Sequence, residues 1–151
     1  MNDRKYAVLL TDVQEIKIIE CNPDKEIFDI ARSAIGCEWI EVVRPLPHNF
    51  GTDWVMLIDE EGKLLDNTPS INCTASYLYG SNIHKDPIVG SVVIAKNDGE
   101  NLTLLTGYEA ELLAAVFQQN ICEYITVIAK SFNVHITYGM KEGKEDEDCS
   151  V

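Results

Sequence analysis

The sequence predicts an α+β domain, with a mostly antiparallel sheet of about six strands covered by a long C-terminal helix and a second, shorter helix. Three observations carry this reading. Short runs of alternating polarity, separated by turn residues, recur up to residue 105. Apolar residues spaced three and four apart occupy residues 108–131. A shorter stretch of the same helical period follows the first two strand-like runs.

Residues 6–10 and 15–19 are apolar runs parted by Thr11, Asp12, Val13 and Gln14, a first hairpin with Ile16 and Ile18 inward and Glu15 and Lys17 outward. A helix is expected over residues 22–35. Asn22 reads as its N-cap, Pro23 as its first position, and Asp24 as an acid at the positive end of the dipole. Ile27, Ile30, Ala31 and Ala34 form the buried stripe, and Gly36 is the stop. Residues 39–43 and 53–58 are the next strands, joined through Pro45, Pro47 and Gly51; Trp54, Met56 and Ile58 share one face of the second, Val55 and Leu57 the other. Asp59 to Lys63 reads as a tight turn, its Gly62 suited to a positive φ and its carboxylates carried into solvent.

Residues 88–95 are apolar on both faces, as a central strand is, and Asn97, Asp98 and Gly99 turn the chain into residues 102–105. Thr106 and Glu109 have capping-box spacing, ahead of a wide apolar face of Leu112, Leu113, Val116, Phe117, Ile121, Tyr124, Ile125 and Ile128. Packing on the sheet explains that face; a helix on a membrane surface would carry the basic polar face that this one lacks. Residues 133–139 read as an added edge strand.

One domain is expected over residues 1–140, followed by an acidic, disordered tail over 141–151. Asp and Glu number 25 against 12 Lys and Arg, a net charge of −13, so the overall field repels nucleic-acid phosphates and direct nucleic-acid binding is not expected. No apolar run approaches the roughly 18 residues that cross a bilayer, and the first residues have too short an apolar stretch for a secretory signal. The expected compartment is the cytoplasm, with no membrane partner and with homo-oligomerisation left open. Cys21, Cys37, Cys73, Cys122 and Cys149 are scattered without a Cys-x-x-Cys pair, which suits reduced thiols. In that setting the Asn-x-Thr triplets at Asn72 and Asn101 carry no meaning for glycosylation.

Catalytic signatures are absent from the sequence: there is no phosphate-binding glycine loop, nucleophile elbow, His-Glu-x-x-His or calcium loop. His48, His84 and His135 lie far apart, and Cys73 with His84 is the nearest approach to either a nucleophile and base or a zinc pair. No enzyme activity, metal or cofactor is therefore expected. The segment from 69 to 85 is the binding candidate. It brings Asn72, Tyr77, Tyr79, His84 and Lys85 together, with Arg44 and His48 as further contributors, and tyrosine and amide groups suit a small polar ligand or a protein surface. In the competing reading Tyr77 and Leu78 enter the core and Asn72 caps a helical turn.

Gly36 ahead of Ile40 and Glu41, the Glu61-Gly62-Lys63 turn, Pro69 followed by Asn72, Ala75 and Tyr79, and Ile88-Val89-Gly90 together resemble the uncharacterised domain-of-unknown-function family numbered 3846. Order and spacing agree over the middle of the chain, while the connection through His48 and Asn49 is longer and the helix over 108–131 runs past the shared core. The resemblance implies a small protein of Gram-positive bacteria, phages or conjugative elements. On this basis the expectation is a non-enzymatic binding protein of a phage or mobile element that holds a small ligand or a host protein, in order to counter host defence. The alternative is an acidic DNA mimic that inhibits a nucleic-acid-binding host enzyme, which needs carboxylates spaced like phosphates on one face.

Overall fold

The computed structural model describes residues 4–46, 53–62, 70–136 and 138. The acidic stretch over 141–151 and His48 lie outside these residues. The observed architecture is the expected α+β arrangement: among the described residues, a six-stranded antiparallel sheet with four helices. Its strands are β1 (Lys5–Leu10), β2 (Ile16–Cys21), β3 (Ile40–Val43), β4 (Trp54–Asp59), β5 (Val92–Asp98) and β6 (Asn101–Thr103). Its helices are α1 (Ile27–Ile35), α2 (Cys73–Tyr79), the single turn α3 (Ser81–His84) and α4 (Gly107–Phe132).

The strand order is β2-β1-β5-β4-β3, with β6 paired to the end of β5. This order sets β5, apolar on both faces, at the centre. Val8, Leu10, Met56, Val92 and Ile94 face α2 and α4, while Ala7, Val55, Leu57, Val93 and Ala95 face α1. The two predicted helices therefore cover opposite faces, and the partition of Trp54, Met56 and Ile58 from Val55 and Leu57 is as the alternation requires.

The capping box on α4 is present: Thr106 Oγ1 accepts from the Glu109 N–H at 3.1 Å, and Glu109 Oε1 accepts from the Thr106 N–H at 2.9 Å. By length and composition α4 could cross a membrane, but Leu113, Phe117, Ile121, Ile125 and Ile128 lie buried beneath it, against the sheet and α2. Leu112 and Val116, expected in its buried face, are 47% and 37% exposed, because the sheet covers a narrower arc of this helix than its apolar residues span.

Local chemistry departs from expectation at several points. Asn22 does not cap α1: its side chain accepts from the Asp24 N–H and its carbonyl from the Lys25 N–H, closing a turn that delays the helix to Ile27. Ile16 packs into the core, but Ile18 is 42% exposed on the terminal strand β2. β5 starts at Val92, not residue 88, because Gly90 takes a left-handed conformation, φ +82°, that breaks the run. Gly62 does not have a positive φ; a side chain there would press on Val89, 3.3 Å from its Cγ2. No strand forms at residues 133–136 or 138, since Asn133 closes α4 in a left-handed conformation and Val134 N–H returns to the Ala129 carbonyl. Cys21, Cys37 and Cys73 are free thiols as expected, whereas Cys122 is engaged in a disulfide.

Candidate functional site

The candidate segment is pinned at its start by a buried polar clasp. Asn72 is fully buried and caps α2: Oδ1 accepts from the Ala75 N–H at 3.1 Å, while Nδ2 donates to the Leu10 and Gly90 carbonyls, each at 2.9 Å. Beside it Gln14, only 4% exposed, donates to the Asp12 and Ile71 carbonyls and accepts from the Cys73 N–H. Gln14 sits in the left-handed region at φ +66°, the third residue of a three-residue hairpin loop where glycine is usual. Its side-chain bonds to α2 explain the choice. Nothing local in the sequence marks Gln14, whose bonds to Ile71 and Cys73 reach across 57 and 59 residues.

Asn72 is thus committed to the fold, the second of the roles open to it from the sequence. Cys73, beside it, is fully buried, and burial pushes its thiol up to about 12, well away from thiolate chemistry. Its supposed partner His84 instead packs on Tyr79, ring centroids 4.9 Å apart, with Nε2 2.8 Å from the Tyr79 carbonyl oxygen. Tyr77 turns toward α4: its ring is 4.6 Å from that of Tyr124 and its hydroxyl donates to Glu123 Oε2 at 3.3 Å. Partial burial, then the Glu123 charge and hydrogen bond, raise the Tyr77 phenol above its ordinary range. Lys85 donates to the Ser131 carbonyl at 3.4 Å. Arg44 stands apart from this group, its Nη1 3.1 Å from the Asn97 amide oxygen when that amide faces it. Tyr79 and His84 are brought together; Tyr77, Lys85 and Arg44 go elsewhere.

Tyr79 opens onto a cavity of about 290 Å³. Val43, Ile58, Ile88 and Val89 supply apolar wall, and Glu41, Asp59, Glu60 and Asp86 supply four carboxylates. Asp59 and Glu60 had been expected simply to face solvent. Asp59 also accepts from the Glu61 N–H at 2.9 Å, which orients the turn after β4. Sequence reasoning placed Tyr79 here but missed Glu41, on a strand 38 positions earlier, and Asp86, just past the segment it singled out. A wider groove of about 870 Å³ lies between α1, the β5–β6 hairpin and the start of α4. Its Lys5, Lys25 and Lys96 are offset by Glu26, Asp98, Glu100 and Glu109, and Lys96 bonds Glu109 at 2.7 Å, so its charge is mixed. Among the described residues, no three His, Cys, Asp or Glu side chains gather as a metal site would require.

A family model described as Domain of unknown function (DUF3846) matches residues 5–118. The chain belongs to the DUF3846 family. The match covers about three quarters of the chain, more than the middle stretch that carries the resemblance by eye, and it ends within α4. Every residue lining the Tyr79 cavity falls inside the DUF3846 stretch, whereas Glu123, Tyr124 and Ser131, which receive Tyr77 and Lys85, lie beyond it. No curated protein and no solved structure matches the chain.

Proposed function

We propose that this DUF3846 domain is a non-enzymatic binding module of the cytoplasm that takes a cationic group on a short apolar stem into the Tyr79 cavity. The observation that supports it is the combination, around one opening, of apolar wall and four carboxylates. A lysine or arginine side chain, or a small amine, matches both parts: methylenes lie along Ile58, Ile88 and the Tyr79 ring, and the charged head reaches the carboxylates. In a chain of net charge −13, an anionic ligand is repelled from the same opening. The proposal keeps the setting drawn from the family resemblance, in which a phage or mobile element engages a small polar ligand or a host protein to counter defence.

Calorimetric titration with agmatine and with a capped lysine amide tests it. Saturable binding is expected, weakened several-fold by Glu41→Gln and about tenfold or more by Tyr79→Ala, a loss of about 1.4 kcal/mol. Absence of binding to both compounds overturns the reading. The rival, a DNA mimic, rests on the carboxylate excess; it predicts salt-sensitive displacement of DNA from a basic enzyme that survives Tyr79→Ala.

A further inference from the structure

The outer edge of β3 runs beside the Tyr79 cavity. β3 is a terminal strand, paired with β4 so that Ile40 faces Asp59 and Val43 faces Met56. The Glu60 N–H donates to the Trp39 carbonyl at 3.0 Å in the same register, so Trp39, Glu41 and Val43 turn their backbone groups toward β4. Ile40 and Val42 turn theirs outward, and among the described residues no hydrogen bond reaches those groups. Trp39 precedes Glu41 by two positions and therefore shares its face; it is 57% exposed, unusual for so large an aromatic side chain.

We propose that a basic, extended polypeptide segment adds as a strand to the β3 edge, hydrogen-bonding Ile40 and Val42 and placing a lysine or arginine in the Tyr79 cavity. This rests on the cationic reading of that cavity and names the class of its occupant. A strand added to β3 lies about 4.8 Å away, and its residue opposite Glu41 points to the same face with Cβ atoms about 5 Å apart, within reach of a lysine stem. Trp39 offers a ring to the next basic side chain along that face. Backbone bonding supplies affinity, the carboxylates Glu41, Asp59, Glu60 and Asp86 select positive charge, and the strongly acidic chain draws a basic segment in. The other terminal strand among the described residues, β2, lies far from the cavity carboxylates, which makes it an internal control.

The probes are a short capped peptide alternating lysine and valine, the same peptide methylated on alternate backbone nitrogens in either register, and agmatine. Amide exchange followed by NMR is expected to slow about tenfold or more at Ile40 and Val42 on addition of the unmodified peptide, with Ile18 and Glu20 of β2 unchanged. One methylated register is expected to bind at least about tenfold more weakly. Val42→Pro removes an outward N–H together with a half-buried side chain on the α1 face, away from the cavity, and is expected to abolish protection at Ile40 while leaving agmatine binding intact; Trp39→Ala, at an exposed site, is expected to weaken the peptide alone. If both methylated peptides bind as well as the parent, or β2 is protected equally, strand addition is overturned while the cavity reading stands. If agmatine and peptide both fail to bind, both readings fall.

Discussion

The two ends of α2 use similar polar chemistry for opposite purposes. At its start, Asn72 and Gln14 are 0% and 4% exposed, and their amides are bonded to backbone groups of Leu10, Asp12, Ile71, Cys73, Ala75 and Gly90. At its end, Tyr79 borders a cavity whose carboxylates come from β3, the turn after β4, and Asp86. A polar residue near a loop is therefore no guide to function by itself. What separates the ends is burial: the Asn72 and Gln14 amides are sealed in the core, whereas Glu41 stands exposed at the cavity.

Asn72→Ala should give the largest effect. It removes the α2 cap and two buried bonds to the Leu10 and Gly90 carbonyls, a loss of about 3 kcal/mol by denaturant unfolding. A loss under about 0.5 kcal/mol would erase the contrast between the two ends. Gln14→Ala should cost about 2 kcal/mol, and Gln14→Gly about 1 kcal/mol less than that, because glycine relieves the left-handed backbone while still forfeiting the side-chain bonds. Equal costs for the two variants would show that the backbone conformation carries no strain.

Alkaline titration sharpens the same end. Cys73 titrates at about 12 in the folded chain against an ordinary 9.0, so the folded state holds this proton more tightly. Its contribution is complete below about pH 9 and is lost as pH rises toward 12. Urea midpoints measured across that interval should fall less steeply in Cys73→Ala than in the parent. Smallest of all should be the stability change from Glu41→Gln at the other end, within about 0.5 kcal/mol at neutral pH, since this side chain is exposed. A large loss there would make the cavity carboxylates part of the fold's stability.

Much of the fold was legible because its signals are local. The Thr106 and Glu109 cap acts over three residues, the Gly36 stop over four, and the facing of Trp54, Met56 and Ile58 follows from the pleat alone. Asn22 misled for an equally local reason: a capping residue followed by proline can close a turn as readily as open a helix. Of the candidate site, Tyr79 and His84 were named together within one segment, while Glu41 was placed on its strand with no part in the site.

By itself, then, the sequence determined the fold class, the sheet's central strand, the long capped helix and the family resemblance, because strand and helix periods, caps and turns act between near neighbours. Tertiary structure alone decided that α1 and α4 cover opposite faces and that Gln14 adopts a left-handed backbone. It also decided that Asn72 is structural and that Glu41 meets Tyr79 and Asp86 around one cavity. The Asn72 bond to Leu10 spans 62 residues, and contacts at such separation leave no period or cap to read. They form only after the strands have fixed their order, when hydrophobic packing brings distant polar groups to positions where leaving them unpaired would cost more than ordering them.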